Sequence, residues 1–125
     1  MKYYELTAMR EVLKKLDVTK DLPVKVGFAI VKNERLIADH LKAYDEMRNK
    51  IISKYADDTG SVSADKDPDK FKACMHDINE LDQQETDPIN FTTIKLADIE
   101  DLSMNLNELN ALYFMIEERG NTHGN

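Results

Sequence analysis

Arg48 is the side chain best placed to do chemistry. Tyr44 precedes it by four residues, Ile51 and Ile52 follow closely, and Tyr55 comes seven residues later. On a helix these positions share one side, which sets a guanidinium between two phenol rings. Such a group can hold an anionic or planar ligand by bidentate hydrogen bonds and cation–π contact. The competing role is structural: the stem packs and the head pairs with a carboxylate of the same chain. Arg35, with Lys25, Lys32 and Lys54, extends a basic strip along the same helix. The candidate ligand- or partner-binding set is therefore Arg48, Tyr44, Tyr55 and Arg35. The ordinary meaning of such a strip is a solvated face.

Other reactive residues point nowhere in particular. Cys74 and His76 are two residues apart and face different ways on a helix. Cys74 lies in an apolar stripe and reads as a buried small hydrophobe rather than a nucleophile. His40 beside Asp39 reads as surface, and His123 lies near the end of the chain. Three scattered histidines and one cysteine offer no metal-ligand spacing, so no metal is expected. Asp57-Asp58-Thr59-Gly60 and Asp65-Lys66-Asp67 hint at a calcium loop but lack its alternating ligands and terminal Glu. They read as a charged loop. No phosphate-binding Gly-rich loop and no nucleophile elbow is present, so the chain is expected to be neither an enzyme nor a cofactor carrier.

Helices must position these residues. The first runs over 3–16, with Leu6, Met9, Leu13 and Leu16 on one face. Asp17 to Asp21 interrupt it. Pro23 fits the first turn of a second helix reaching Tyr55, capped by Asp21 or a neighbour and on the order of 50 Å long. Its clearest pattern is a heptad seam: Ile30, Ile37, Tyr44 and Ile51, with Glu34, Leu41, Arg48 and Tyr55. Val24, Phe28 and Val31 form an adjacent stripe that widens this apolar face. Residues 56–67 are a polar loop. Asp67 caps a third helix opening on Pro68, with Phe71, Cys74, Met75, Ile78 and Leu81 at helical spacing. It is about half as long as the second helix and is expected to lie antiparallel to it.

Thr86-Asp87-Pro88 ends the third helix. Residues 89–96 carry Ile, Phe and Thr and read as extended, a strand whose partner is not evident. Residues 97–104 are ambiguous. Asn105 with Glu108 makes a capping box for a last helix, whose apolar face is Leu106, Leu109, Leu112, Tyr113 and Ile116 and whose C-cap is Gly120. The fold class is mainly α: a long antiparallel helical hairpin, a short N-terminal helix, a short extended segment and a C-terminal helix. It forms one domain over 1–120, followed by a disordered tail over 121–125.

Charge is unevenly distributed. Residues 1–54 hold 12 Lys and Arg against 8 Asp and Glu, whereas residues 55–125 hold 5 against 16. The halves attract, within a chain or between copies. A net charge of −7 disfavours general DNA binding, which needs a basic surface. One cysteine permits no internal disulfide and fits a reducing compartment. The start lacks the apolar core of a signal peptide, and no apolar run reaches membrane length. A soluble cytoplasmic protein is expected. The heptad seam outruns the third helix, so another copy is expected to cover the remainder as a homo-oligomer.

Several segments resemble a family of small proteins from tailed bacteriophages and prophages, a phage domain of unknown function. They are Leu22-Pro23-Val24-Lys25-Val26 opening the long helix, Ala43 to Arg48, and Ile52-Ser53-Lys54-Tyr55 before an acidic loop. Ile94 to Leu102 and a capped helix closing on Ile116-Glu117-Glu118 complete the likeness, which covers roughly residues 5–118. Leu106 and Phe114 stand where the family commonly has Pro. The resemblance transfers no catalytic residue. It implies a phage origin, expression inside the host bacterium and action by binding. Small size, acidity and the absence of catalytic motifs fit a non-enzymatic accessory protein of the host bacterial cytoplasm that neutralises a host defence protein or sequesters a small anionic nucleotide signal. The alternative is a virion or assembly protein that acts through homo-oligomerisation.

Overall fold

The computed structural model describes residues 1–19 and 21–117, the side chains of 17–19 excepted. Gly120, His123 and the 121–125 tail lie outside the described residues. The described residues are mainly helical: α1 (Tyr3–Thr19), α2 (Val24–Tyr55), α3 (Pro68–Asp82) and α4 (Leu106–Leu112), with 3-10 turns at Leu96–Asp98 and Tyr113–Met115. They contain no sheet, and none of their helices is long and apolar enough to cross a membrane.

The chain divides into two compact units. The first comprises Met1–Thr7 and Asp39–Pro88, and the second Ala8–Ala38 with the chain from Ile89 onward.

In the first unit, Ile51 of α2 packs with Cys74 and Ile78 of α3, and Ile52, Tyr55, Val62 and Leu81 close around them. α3 starts as its sequence dictates. The Asp67 carboxylate accepts the Lys70 N–H at 3.1 Å, and Pro68 occupies the first helical position. The loop before it is closed by Asp57, whose Oδ1 accepts the Thr59 N–H at 2.8 Å and the Thr59 hydroxyl at 2.6 Å. Gly60 supplies the φ of 82° that this turn requires. The start of the chain is pinned to the segment after α3. The Tyr3 N–H donates to the Gln84 carbonyl at 3.1 Å, and the Thr86 N–H to the Met1 carbonyl at 2.8 Å.

In the second unit, α2 buries Val26, Ala29, Ile30, Asn33 and Ile37. Asn33 is the polar member of this otherwise apolar face and is 0% exposed. Its amide nitrogen donates to the Thr92 carbonyl at 2.9 Å, and its amide oxygen accepts the Thr92 N–H at 2.7 Å. The side chain thus pairs with a backbone residue much as a neighbouring strand would. Residues 89–96 accordingly form no strand. Their remaining pairing is one parallel bridge, Ile94 to Ile116, with the Ile94 N–H on the Met115 carbonyl at 2.8 Å and the Glu117 N–H on the Ile94 carbonyl at 2.7 Å. Phe91 meets Phe114 edge to face at 4.9 Å.

Four expectations are corrected. α1 continues to Thr19 instead of stopping at Leu16, because no Gly or Pro intervenes before Pro23. Pro23 stands at the cap of α2 rather than inside its first turn, its carbonyl accepting the Gly27 N–H at 2.9 Å. The last helix is α-helical only to Leu112 and then tightens, because Ile116 is drawn into the bridge with Ile94. Its buried residues are Ala111, Leu112 and Met115, whereas Leu106 and Tyr113 are 72% and 69% exposed. The capping box itself is present in both directions, each bond 2.9 Å.

Candidate functional site

The candidate site residues fall in both units. Tyr44, Arg48 and Tyr55 belong to the first and Arg35 to the second. Tyr44 is buried, its ring stacked on Tyr3 at 5.4 Å and its hydroxyl donated to the Asp82 carboxylate. Burial, then the bond to Asp82 and its charge, push the phenol up to about 12 against the opposing pull of Arg48. Tyr55 is half-buried and donates its hydroxyl to Asp77 at 2.7 Å, which raises its pKa. Both phenols are thus engaged by carboxylates of α3. Arg48 lies close enough to Tyr44 to act on its charge, but it is exposed rather than packed in the seam. Arg35 is exposed as well.

The seam is otherwise covered by its own chain. Ile30, Ile37, Leu41, Tyr44 and Ile51 are all buried. A different surface is left open. Val24, Phe28 and Val31 are 88%, 59% and 40% exposed, so this stripe does not widen the buried face as the spacing suggests. At about 100° per residue, positions 24, 28 and 31 lie roughly opposite 26, 30, 33 and 37 on the helix circumference. The Lys32 ammonium stands 4.6 Å from the centre of the Phe28 ring. Lys25 pairs with Asp98 at 3.3 Å, and Asp98 is held below the usual carboxylate range, first by the Lys95 N–H and then by Lys25.

Each unit carries a cleft. In the second unit a cleft of about 660 Å³ is lined by Val12, Lys15 and Leu16 of α1 with Asn107, Asn110 and Ala111 of α4. Asn105 and Glu108, which also line it, hold each other in the capping box. In the first unit a cleft of about 290 Å³ lies among Met47, Ile51, Asp77, Glu80, Leu81 and Gln84. His76 is beside it, with Nδ1 3.2 Å from Glu80 and 3.8 Å from Asp77. His76, Asp77 and Glu80 offer ligand atoms within 4.8 Å of one another and could hold a divalent cation. The signal for this trio was the four-residue step from His76 to Glu80, which brings the two onto one helix face. Asp57 is differently committed: its hydrogen bonds from Thr59 and Ser61 keep its carboxyl low and bind it into its own turn.

No protein-family model, curated protein or solved structure matches the chain.

Proposed function

We propose that this chain is a non-enzymatic phage accessory protein that acts by binding, with a host protein, such as a component of defence, as its target. One observation carries the reading. Three large apolar side chains stand exposed in a row on α2, on the side opposite its buried face. A helix that is apolar on both sides needs a cover on both, and contiguous exposed apolar surface marks interaction sites. The frame is a helical hairpin of α2 and α3. It is supported by the pairs Tyr44–Asp82 and Tyr55–Asp77, which advance along α2 as they retreat along α3. The single, buried Cys74 suits work in the reducing host cytoplasm.

A nucleotide target would draw on Arg48, Tyr44, Tyr55 and Arg35. The hydroxyls of both tyrosines already bond to carboxylates, which favours the protein target. The second reading is a virion or assembly protein acting as a homo-oligomer. It is favoured by a further pair of exposed apolar residues, Leu106 and Tyr113, in the same unit as the α2 stripe.

Native mass spectrometry of the protein purified from infected bacteria tests these readings together. A complex with a second protein, unchanged by Arg48→Ala, is the expected result. A small anionic adduct lost in Arg48→Ala would replace the protein target with a nucleotide. A bare oligomer would install the second reading, and a bare monomer would overturn both.

A further inference from the structure

We infer that the exposed face of α2 docks onto the exposed face of α4 in a second copy of this chain, head to tail. The inference deepens the oligomeric reading above and rests on it.

Both faces belong to the same unit, and each has the same construction. On α2, Val24, Phe28 and Val31 lie opposite the buried residues. On α4, Leu106 and the following Tyr113 are seven residues apart and share one side, away from the buried Ala111, Leu112 and Met115. Neither face covers the other within one chain, because all five side chains are exposed.

Charge decides which surface meets which. Residues 22–38 carry three cations against one carboxylate, Glu34; Lys25 pairs with Asp98 of its own chain, and Lys32 and Arg35 are the other two. Besides Asp98, residues 96–117 carry four carboxylates and no Lys or Arg. Two α2 faces brought together would set Lys32 and Arg35 against their own copies, and two α4 faces would gather carboxylates. An α2 face on an α4 face instead matches apolar to apolar and cation to carboxylate. The two patches differ, so each copy offers one face of each kind, and a two-fold pair in which both contacts form at once is the smallest closed ring. Repeated copies close into a ring or extend as a filament according to the rotation between them.

The pattern is specific enough to test by complementation. Phe28→Asp spoils only the α2 face, and the double variant Leu106→Ser/Tyr113→Ser only the α4 face. All three positions are exposed, so circular dichroism should show unchanged helix in each variant. In analytical ultracentrifugation the full-length protein is expected to sediment as an oligomer whose population falls as salt rises. Each variant alone is expected to sediment as a monomer. Their mixture is expected to give a dimer and nothing larger, because it retains one intact α2 face and one intact α4 face.

A monomer for the unaltered protein at every concentration would overturn the inference together with the oligomeric reading. An oligomer that survives Phe28→Asp would overturn the inference while leaving the oligomeric reading in place. Variants that remain monomeric when mixed would do the same, because a self-matching interface cannot be complemented in this way.

Discussion

The two units handle their polar side chains in opposite ways. The first turns its aromatic and acidic residues on each other: Tyr44 meets Asp82 and Tyr3, and Tyr55 meets Asp77. The second buries the carboxamide of Asn33 against Thr92 and the Met115 sulfur, and leaves Val24, Phe28, Val31, Leu106 and Tyr113 exposed. Apolar surface on α2 and α4 of the second unit is therefore left without a cover in its own chain. The two tyrosines of the candidate ligand site are engaged by carboxylates of α3.

The largest effect expected is at Asn33. Asn33→Ala removes both hydrogen bonds to Thr92 and the weaker one to the Met115 sulfur, and strands the Thr92 N–H and carbonyl, a loss of about 2–4 kcal/mol readable as a lower urea midpoint. Asn33→Leu should not recover it, because leucine offers Thr92 nothing. Recovery would show that the carboxamide is not what holds residues 89–96. In the first unit, Ile51→Ala empties the centre of the α2–α3 core and should cost a comparable 2–4 kcal/mol, roughly. A much smaller loss would mean that this unit is held chiefly by its tyrosine–carboxylate pairs.

Tyr44→Phe sharpens the contrast further. It should cost about 1–2 kcal/mol at neutral pH by leaving Asp82 without its donor. It should also change the alkaline response. The folded phenol is raised to about 12 from an ordinary value of 10.0, so its contribution is complete below pH 10 and is lost as pH rises toward 12. Melting temperature followed across that window should fall more steeply in the unaltered protein than in Tyr44→Phe. Parallel curves would contradict the buried hydrogen-bonded phenol.

Smaller effects are expected at the caps and on the outer face. Asp67→Ala should lower stability by about 1 kcal/mol through loss of the bond to the Lys70 N–H. Phe28→Asp should change stability by less than about 0.5 kcal/mol, because the ring is exposed and its contact with the Lys32 ammonium lies at the surface. A large loss from Phe28→Asp would show that the stripe is part of the core after all.

Local signals in the sequence were reliable where chemistry acts over a few residues. Asp67 before Pro68, and Asn105 with Glu108, each mark a helix start that the structure contains. Heptad spacing likewise picks out Ile30, Ile37, Tyr44 and Ile51 as buried. Three features were not legible for stated reasons. Asn33 looks like any helix polar residue until Thr92, 59 positions away, is brought to it. The β-branched and aromatic residues of 89–96 suggest a strand, but strand formation requires a neighbour, and here an amide side chain takes that place. Periodicity assigns Val24, Phe28 and Val31 to an apolar stripe without saying whether anything covers it, because the first half of α2 is apolar on opposite sides. The same ambiguity set Arg48 in a seam, although its side chain is exposed.

The central proposal is that the outward face of the second unit docks onto a second copy of this chain. Fluorine NMR of the full chain labelled with 4-fluorophenylalanine addresses it directly. The chain has four phenylalanines: Phe28 on the outer face, Phe71 in the first unit, and the edge-to-face pair Phe91 and Phe114. On raising the protein from low to high micromolar concentration, the Phe28 resonance should shift or broaden while that of Phe71 stays in place. A Phe28 signal as indifferent to concentration as that of Phe71 would contradict the claim.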